Sequence, residues 1–182
     1  MRLPIVAAML VALAPFSAFS ADYPAPQAPA VPAGSGYVDV AGAAVAIDPK
    51  HVYKVIVDGL NAAANPSGVL PALNRASLIV NGLTVGHVPA ANRKVVVVFH
   101  GPAVDGLLRN DAYRKRFNVD NPNLAVIEQL LKAGVEIFVC AQHMANHKIG
   151  MESLAPGVKL ATAASIVLIA YQNDGYAVVA DR

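Results

Sequence analysis

The sequence predicts an α/β fold with a mainly parallel sheet and helices on both faces of that sheet. Strand-like and helix-like segments alternate from residue 51 to the end of the chain, as they do in βαβ crossovers. Two continuous apolar runs, at 94–101 and 135–140, are typical of parallel strands that are covered on both sides. The sequence has no internal repeat, and its length fits one domain with a sizeable core.

The first twenty residues have the features of a secretory signal peptide. Arg2 supplies a short basic start, an apolar stretch broken by Pro15 follows, and small residues precede a cleavage site after Ser20 or, as a second choice, after Ala21. The apolar stretch is too short for a comfortable membrane span, and an uncleaved anchor is the alternative. We therefore expect a periplasmic protein with no stable membrane insertion.

Residues 21–36 are rich in Pro, Ala and Gly without periodicity, which predicts an extended or disordered lead-in. Residues 37–48 alternate weakly and predict a short strand or an arm. A single domain is expected over 37–182.

The charge balance excludes an electrostatic case for nucleic acid. Lys and Arg number 14, Asp and Glu number 12, and the formal net charge is +2. The one basic cluster, at 114–116, is interpreted as a solvated helix face.

The first half of the domain is predicted as strand, helix, strand and helix. Residues 51–59 alternate and are β-branched, which favours a strand. From Pro66 to about Leu83, apolar residues recur at three- and four-residue steps, which indicates an amphipathic helix. A strand follows at 94–101, and an interrupted helix at 102–117.

The second half continues the alternation. Asn121 is a plausible N-cap for the next helix, with Pro122 at its first position. The strand at 135–140 precedes a short helix at about 142–153. Residues 157–162 are either a strand or a lead into the next segment. Residues 163–175 are apolar enough for a strand or a helix, and their length and Gly175 favour a helix. A last strand at 176–179 completes the chain.

Ligands collect at the carboxyl ends of strands in open parallel sheets. Three residues with reactive or ionisable side chains are predicted at these ends: Asp58 after the first strand, His100 after the second and Cys140 after the third. If these strands are neighbours, His100 and Cys140 share one edge of the sheet.

Cys140 is the only cysteine, so it has no intramolecular disulfide partner. It precedes a predicted helix, whose free N–H groups would favour a thiolate nucleophile. The alternative is a buried cysteine that packs as a small apolar residue. The sequence leaves both open.

Cys140, His143 and His147 have the spacing C-x₂-H-x₃-H, which could place a zinc or copper ligand set at the start of a helix. The alternative is that these histidines are ordinary surface residues, as we expect for His51 and His87.

His100 is followed by Gly101 and Pro102. Its imidazole could transfer a proton or could bond locally and do nothing else, and Gly101 would let a ligand approach the backbone. A Gly-rich phosphate loop and a G-x-S-x-G elbow are both absent from the sequence, which excludes the simplest nucleotide-binding and hydrolase interpretations.

Three stretches together resemble the DsrE/DsrF-like sulfur-relay family, in particular its exported bacterial members. They are "VVVVFHGPAV", "NPNLAVIEQLLKAGVEIFVCAQ" and "LAPGVKLATAASIVLIAYQNDGYAVV", and the resemblance covers roughly residues 51–180. It implies a three-layer α/β/α sandwich with a mostly parallel five-stranded sheet, and assembly into trimers or hexamers. It also implies that Cys140 carries a persulfide passed between proteins.

Two features depart from that family. The characterised carriers work in the cytoplasm, and His143 and His147 stand where small or hydroxyl residues are expected. The leading hypothesis is a periplasmic persulfide carrier or sulfurtransferase-like protein with Cys140 as its reactive residue, supported by His100 or His143. It would exchange sulfur with a donor or acceptor protein or a small sulfur compound, without a cofactor.

Two alternatives remain. The first is a non-enzymatic oligomeric binding module, in which Cys140, His143 and His147 hold a metal. The second is a stable oligomer with an inert, buried thiol.

Overall fold

The computed structural model describes residues 23–181, so the predicted signal peptide lies outside the described residues. The strands are β1 (Tyr53–Gly59), β2 (Arg93–Phe99), β3 (Glu136–Cys140), β4 (Lys159–Ala161) and β5 (Ala177–Ala180). The α-helices are α1 (Pro71–Val85), α2 (Asn110–Phe117), α3 (Leu124–Lys132), α4 (Ala141–Asn146) and α5 (Ala164–Asn173). Short 3-10 helices occupy Ala90–Asn92, Gly101–Leu107 and Met151–Ser153.

The five strands form one sheet in the order β4-β3-β2-β1-β5, and every neighbouring pair is parallel. The predicted α/β fold is confirmed. The chain steps from β1 to β4 in one direction and then returns across the sheet to β5. Because crossovers between parallel strands are right-handed, the return helix α5 lies on the opposite face from α1 and α3.

The face that packs against α1 and α3, here called the α1/α3 face, holds the larger core. Leu73 of α1, Leu130 of α3, and Val97 and Ile137 of the sheet are fully buried there. The other face, here called the α5 face, has a smaller core around Ile56 and packs against Ala164 and Val167 of α5. The hydroxyl of Tyr171 in α5 donates to Glu136 Oε2 at 2.9 Å and ties this helix to β3.

The segment predicted as a lead-in packs against α1. Val31 is fully buried, and the N–H groups of Ala30 and Val31 donate to Asn81 Oδ1 at 3.0 and 2.9 Å. The amide nitrogen of Asn81 donates to the carbonyl of Ser35 at 2.9 Å, and Gln27 forms an antiparallel bridge with Tyr37. The Asn81 side chain thus bonds the backbone at residues 30, 31 and 35 and holds this part of the segment against α1.

The Asn121 side chain makes the capping contact predicted for it, because its Oδ1 accepts the N–H of Asn123 at 2.9 Å, although α3 itself begins at Leu124. Its amide nitrogen also donates to the carbonyls of Gly106 and Leu108. The predicted helix at 142–153 is divided, because α4 ends at Asn146 and only a 3-10 turn follows. Among the helices of residues 23–181, none is long and apolar enough to cross a membrane.

Candidate functional site

Asp58, His100 and Cys140 meet at the carboxyl edge of the sheet because their strands are neighbours. Phe99 pairs with Val139, so His100 and Cys140 come next on strands that lie about 4.8 Å apart. The N–H of His100 donates to the carbonyl of Gly59 at 3.0 Å, which continues the sheet ladder by one residue.

The three side chains lie on the same face of the sheet. Cys140 belongs to the α5-face core, as do Ile56 and Val98. Asp58 and His100 each follow one of these two residues by two positions, and alternate residues of an extended chain share a face. The carboxylate, the imidazole and the thiol are therefore all on the α5 face.

Asp58 and His100 form a hydrogen-bonded pair. Nε2 of His100 lies 2.7 Å from Oδ1 of Asp58, and the two side chains are 27% and 31% exposed. A carboxylate oxygen only accepts, so the pair places the imidazole proton on Nε2. In the neutral ring, Nδ1 is then an open proton acceptor.

Cys140 is close to this edge but covered. It is the last residue of β3 and the N-cap of α4, its side chain makes no capping hydrogen bond, and it is 7% exposed. Its neighbours in the α5-face core include Ala161 and Ala164, which are small. Within residues 23–181 the thiol makes no side-chain hydrogen bond, so it is a neighbour of the Asp58–His100 pair and not a bonded member of it.

His143 of α4 stacks on His147, which caps the carboxyl end of that helix. Their ring centroids are 4.1 Å apart and the planes are inclined by 24°. Partial burial and then the neighbouring His147 lower the pKa of His143 below its usual 6.5, with Asp105 opposing the effect. At neutral pH, His143 is therefore a neutral ring that can accept a proton.

The metal-site alternative is not supported by the geometry. Within residues 23–181, no three His, Cys, Asp or Glu side chains are grouped so that they could hold a metal ion. Cys140 belongs to the α5-face core with Ala161 and Ala164, whereas the rings of His143 and His147 stack on each other.

Two further histidines lie on the surface, as expected. His51 precedes β1 and makes an edge contact with Tyr53, with ring centroids 4.8 Å apart. His87 follows α1. Both precede the amino ends of strands and take no part in the site.

Gly101 has a local structural role. Its φ is +54°, a conformation that favours glycine, and a Cβ added there would lie 2.8 Å from Leu60 Cδ1. The sequence predicted that a ligand approaches the backbone at Gly101, but in the structure the Leu60 side chain occupies that space.

Sequence reasoning missed a cleft next to this edge, lined by α2 and by the segment that follows α4. The cleft has a volume of about 550 Å³ and is lined by His147 and by Lys115 and Arg116 of α2, among others. The signal was the basic cluster at 114–116, which had been interpreted as a solvated face.

Comparison with known proteins places these observations in context. The model of the DsrE/DsrF-like family matches residues 72–180. Among curated proteins, no relative matches the chain.

Two solved structures are similar in fold. The ychN protein from E. coli has a TM-score of 0.52 at 18% identity, with 70% of this chain and 98% of that chain covered. A protein of unknown function, MTH1491 from Methanobacterium thermoautotrophicum, has a TM-score of 0.46 at 18% identity, with the same coverage. At such identity the ychN likeness supports the α/β architecture alone.

Proposed function

Because the chain belongs to the DsrE/DsrF-like family, we propose that it is a sulfur carrier that holds a persulfide on Cys140. The observation that carries the proposal is the position of the thiol. It ends β3, begins α4 and stands one strand away from the Asp58–His100 pair. An imidazole with an open acceptor nitrogen beside a thiol is the arrangement that activates a cysteine nucleophile.

The chemistry is a transfer of one sulfur atom. The Cys140 thiol gives its proton to an imidazole, for which His100 and His143 are the supporting candidates. The thiolate then attacks the outer sulfur of thiosulfate, the S–S bond of thiosulfate breaks, and sulfite leaves with the bonding electron pair. The outer sulfur stays bonded to the Cys140 sulfur as a persulfide anion. An acceptor thiolate then attacks this outer sulfur, and the Cys140 thiolate leaves.

The burial of Cys140 requires that the thiol become reachable. The side chains beside it include Ala161 and Ala164, so little bulk has to move for a small donor to reach the sulfur. This requirement separates the carrier from the alternative of an inert core thiol.

The test is a mass measurement on the purified protein. After incubation with thiosulfate or polysulfide, we expect the intact mass to rise by one or more sulfur atoms, and we expect Cys140→Ser to remain unmodified. An equal gain on Cys140→Ser overturns the proposal. A thiol reagent that modifies Cys140 only after denaturation supports the inert thiol instead.

Export to the periplasm is part of the proposal and is supported by the sequence of residues 1–20. N-terminal sequencing of the protein recovered from a periplasmic extract should begin at Ala21, or at Asp22 if cleavage follows Ala21. A protein that retains Met1 in the cytoplasm would overturn this part alone.

Homo-oligomerisation, as a trimer or hexamer, is also proposed, because the α5 face retains large exposed apolar side chains. Ile166 and Ile169 are one turn apart on α5 and are 56% and 54% exposed, and Val178 of the edge strand β5 is exposed on the same side. Adjacent exposed apolar side chains of this size are typical of an interaction surface.

A further inference from the structure

A cleft of about 550 Å³ lies beside the carboxyl edge and has no role in the sulfur transfer described above. One wall is α2 with its preceding residue, and the other is the segment between α4 and the 3-10 turn at Met151–Ser153. The volume is within the range of small-ligand sites, roughly 300–1,000 Å³.

Cationic side chains outnumber carboxylates in this cleft. The cations come from both walls: Arg109, Lys115 and Arg116 from α2 and its N-cap, and Lys148 from the opposite wall. The carboxylates are Asp111 and Glu152. Cations that converge from separate elements and lack carboxylate partners attract an anion into the space between them.

The arginines already have partners, but the lysines do not. Arg109 pairs with Asp111 at 3.1 Å, and Arg116 pairs with Asp105. Within residues 23–181, neither Lys115 nor Lys148 makes an ion pair. Two ammonium groups therefore remain available to a ligand.

The backbone fixes the position of Lys148. Its N–H donates to the carbonyl of Ala145, the next N–H donates to the carbonyl of Met144, and its φ is +53°. This is the left-handed cap that closes a helix, so Lys148 stands on a defined turn and not on a loose loop.

We infer that this cleft binds a small tetrahedral oxyanion of the sulfate type. Two ammonium groups and the nearby hydroxyl of Ser153 provide donors for such an ion. Asp111 and Glu152 at the same cleft would repel an extended acidic chain, so the arrangement favours a compact anion. The inference goes beyond the sulfur-carrier proposal, because it needs no reaction at Cys140.

Calorimetric titration at low ionic strength tests the inference, with thiosulfate, sulfate and phosphate titrated separately into the full-length protein. We expect saturable binding of at least one oxyanion. Comparison of the three dissociation constants identifies the oxyanion that the cleft prefers. The double variant Lys115→Gln/Lys148→Gln should weaken binding by about 100-fold, since each of the two lost charged hydrogen bonds accounts for about tenfold.

The matched control is Lys50→Gln/Lys94→Gln, which removes the same charge near the amino ends of β1 and β2. Equal weakening in both double variants would mean that only overall charge matters and would overturn the inference. Absence of oxyanion binding, with binding of a polyglutamate peptide in its place, would also overturn it. Cys140→Ser should bind sulfate and phosphate as the parent does, and thiosulfate binding is measured on this variant because it cannot react with that ion. Failure here is therefore distinguishable from failure of the carrier proposal.

Discussion

The two faces of the sheet are built differently. The α1/α3 face is closed by two packed helices, and Leu73, Leu130 and Ile137 are fully buried there. The α5 face is covered by one ten-residue helix, which leaves Ile166 and Ile169 more than half exposed. Asp58, His100 and Cys140 all lie on this second face.

This difference indicates that the two faces have different roles in stability and in function. The α1/α3 face contributes most of the buried apolar area, and therefore most of the stability that comes from the hydrophobic effect. The α5 face holds the proposed site and the exposed apolar side chains of α5. A site on a thinly covered face can admit a ligand or a partner without opening the main core.

The largest expected effect is on stability, and one substitution applied to both faces measures it. Leu130→Ala in α3 should lower the free energy of unfolding by about 2–5 kcal/mol, because it leaves a cavity in a fully buried layer. Leu168→Ala in α5 should cost less than half as much, since that side chain is only partly buried. Urea denaturation of both variants checks this, and equal costs would contradict the comparison.

The next effect concerns assembly. Ile166→Lys/Ile169→Lys should reduce the oligomer to smaller species, because two charges on the outer side of α5 cannot be buried at an interface without a partner. Light scattering coupled to size exclusion measures the mass. The control Val40→Lys/Val45→Lys changes two exposed valines in the N-terminal arm and should leave the mass unchanged. A monomeric parent protein would refute the assembly proposal.

Much of the fold was readable from the sequence, because buried parallel strands have an unmistakable pattern. β2 and β3 are covered on both sides, so they are continuous apolar runs such as "VVVVF". Helix α1 was readable from its three- and four-residue spacing, although it begins at Pro71 and not at Pro66. The strand order was not readable, because a right-handed crossover can lie on either face of the sheet, and that face decides on which side the next strand is added.

The site was only partly readable. Strand ends located Asp58, His100 and Cys140, but the 2.7 Å bond between Asp58 and His100 depends on strand order and on rotamers. The anchoring of residues 30 and 31 was missed because it depends on Asn81, a polar residue in α1 that is buried only once the arm is in place.

A smaller effect is expected on the reactivity of Cys140. Asp58→Asn keeps the shape of the partner of His100 but removes the carboxylate that places the ring proton on Nε2. Sulfur loading of Cys140 should slow by up to about 100-fold, the lower end of what a positioned proton acceptor supplies. Its pH profile should shift as well, since a residue with only a structural role would leave the profile unchanged.

The control for that measurement is Asp48→Asn, an exposed carboxylate near the start of the domain. Initial rates of adduct formation between pH 5 and 9, followed by intact mass, distinguish the variants. If Asp58→Asn loads at the parent rate across this range, His100 does not accept the thiol proton, and His143 becomes the remaining candidate.

The smallest effect is a pH dependence of stability that arises at His143. Burial, and then the neighbouring His147, lower its pKa in the folded state below the usual 6.5. As the pH falls through 6.5, the unfolded chain therefore binds more protons at His143 than the folded protein does. The free energy of unfolding is accordingly highest above pH 6.5 and decreases below it. Thermal unfolding at pH 7.5 and 5 should show a lower melting temperature at pH 5. His143→Gln should reduce that difference, whereas His51→Gln should preserve it.

Because burial is the larger cause, His147→Gln should remove only part of the difference. If His147→Gln removes as much of it as His143→Gln, the stacked pair titrates as one unit and the effect belongs to the like-charge contact and not to burial.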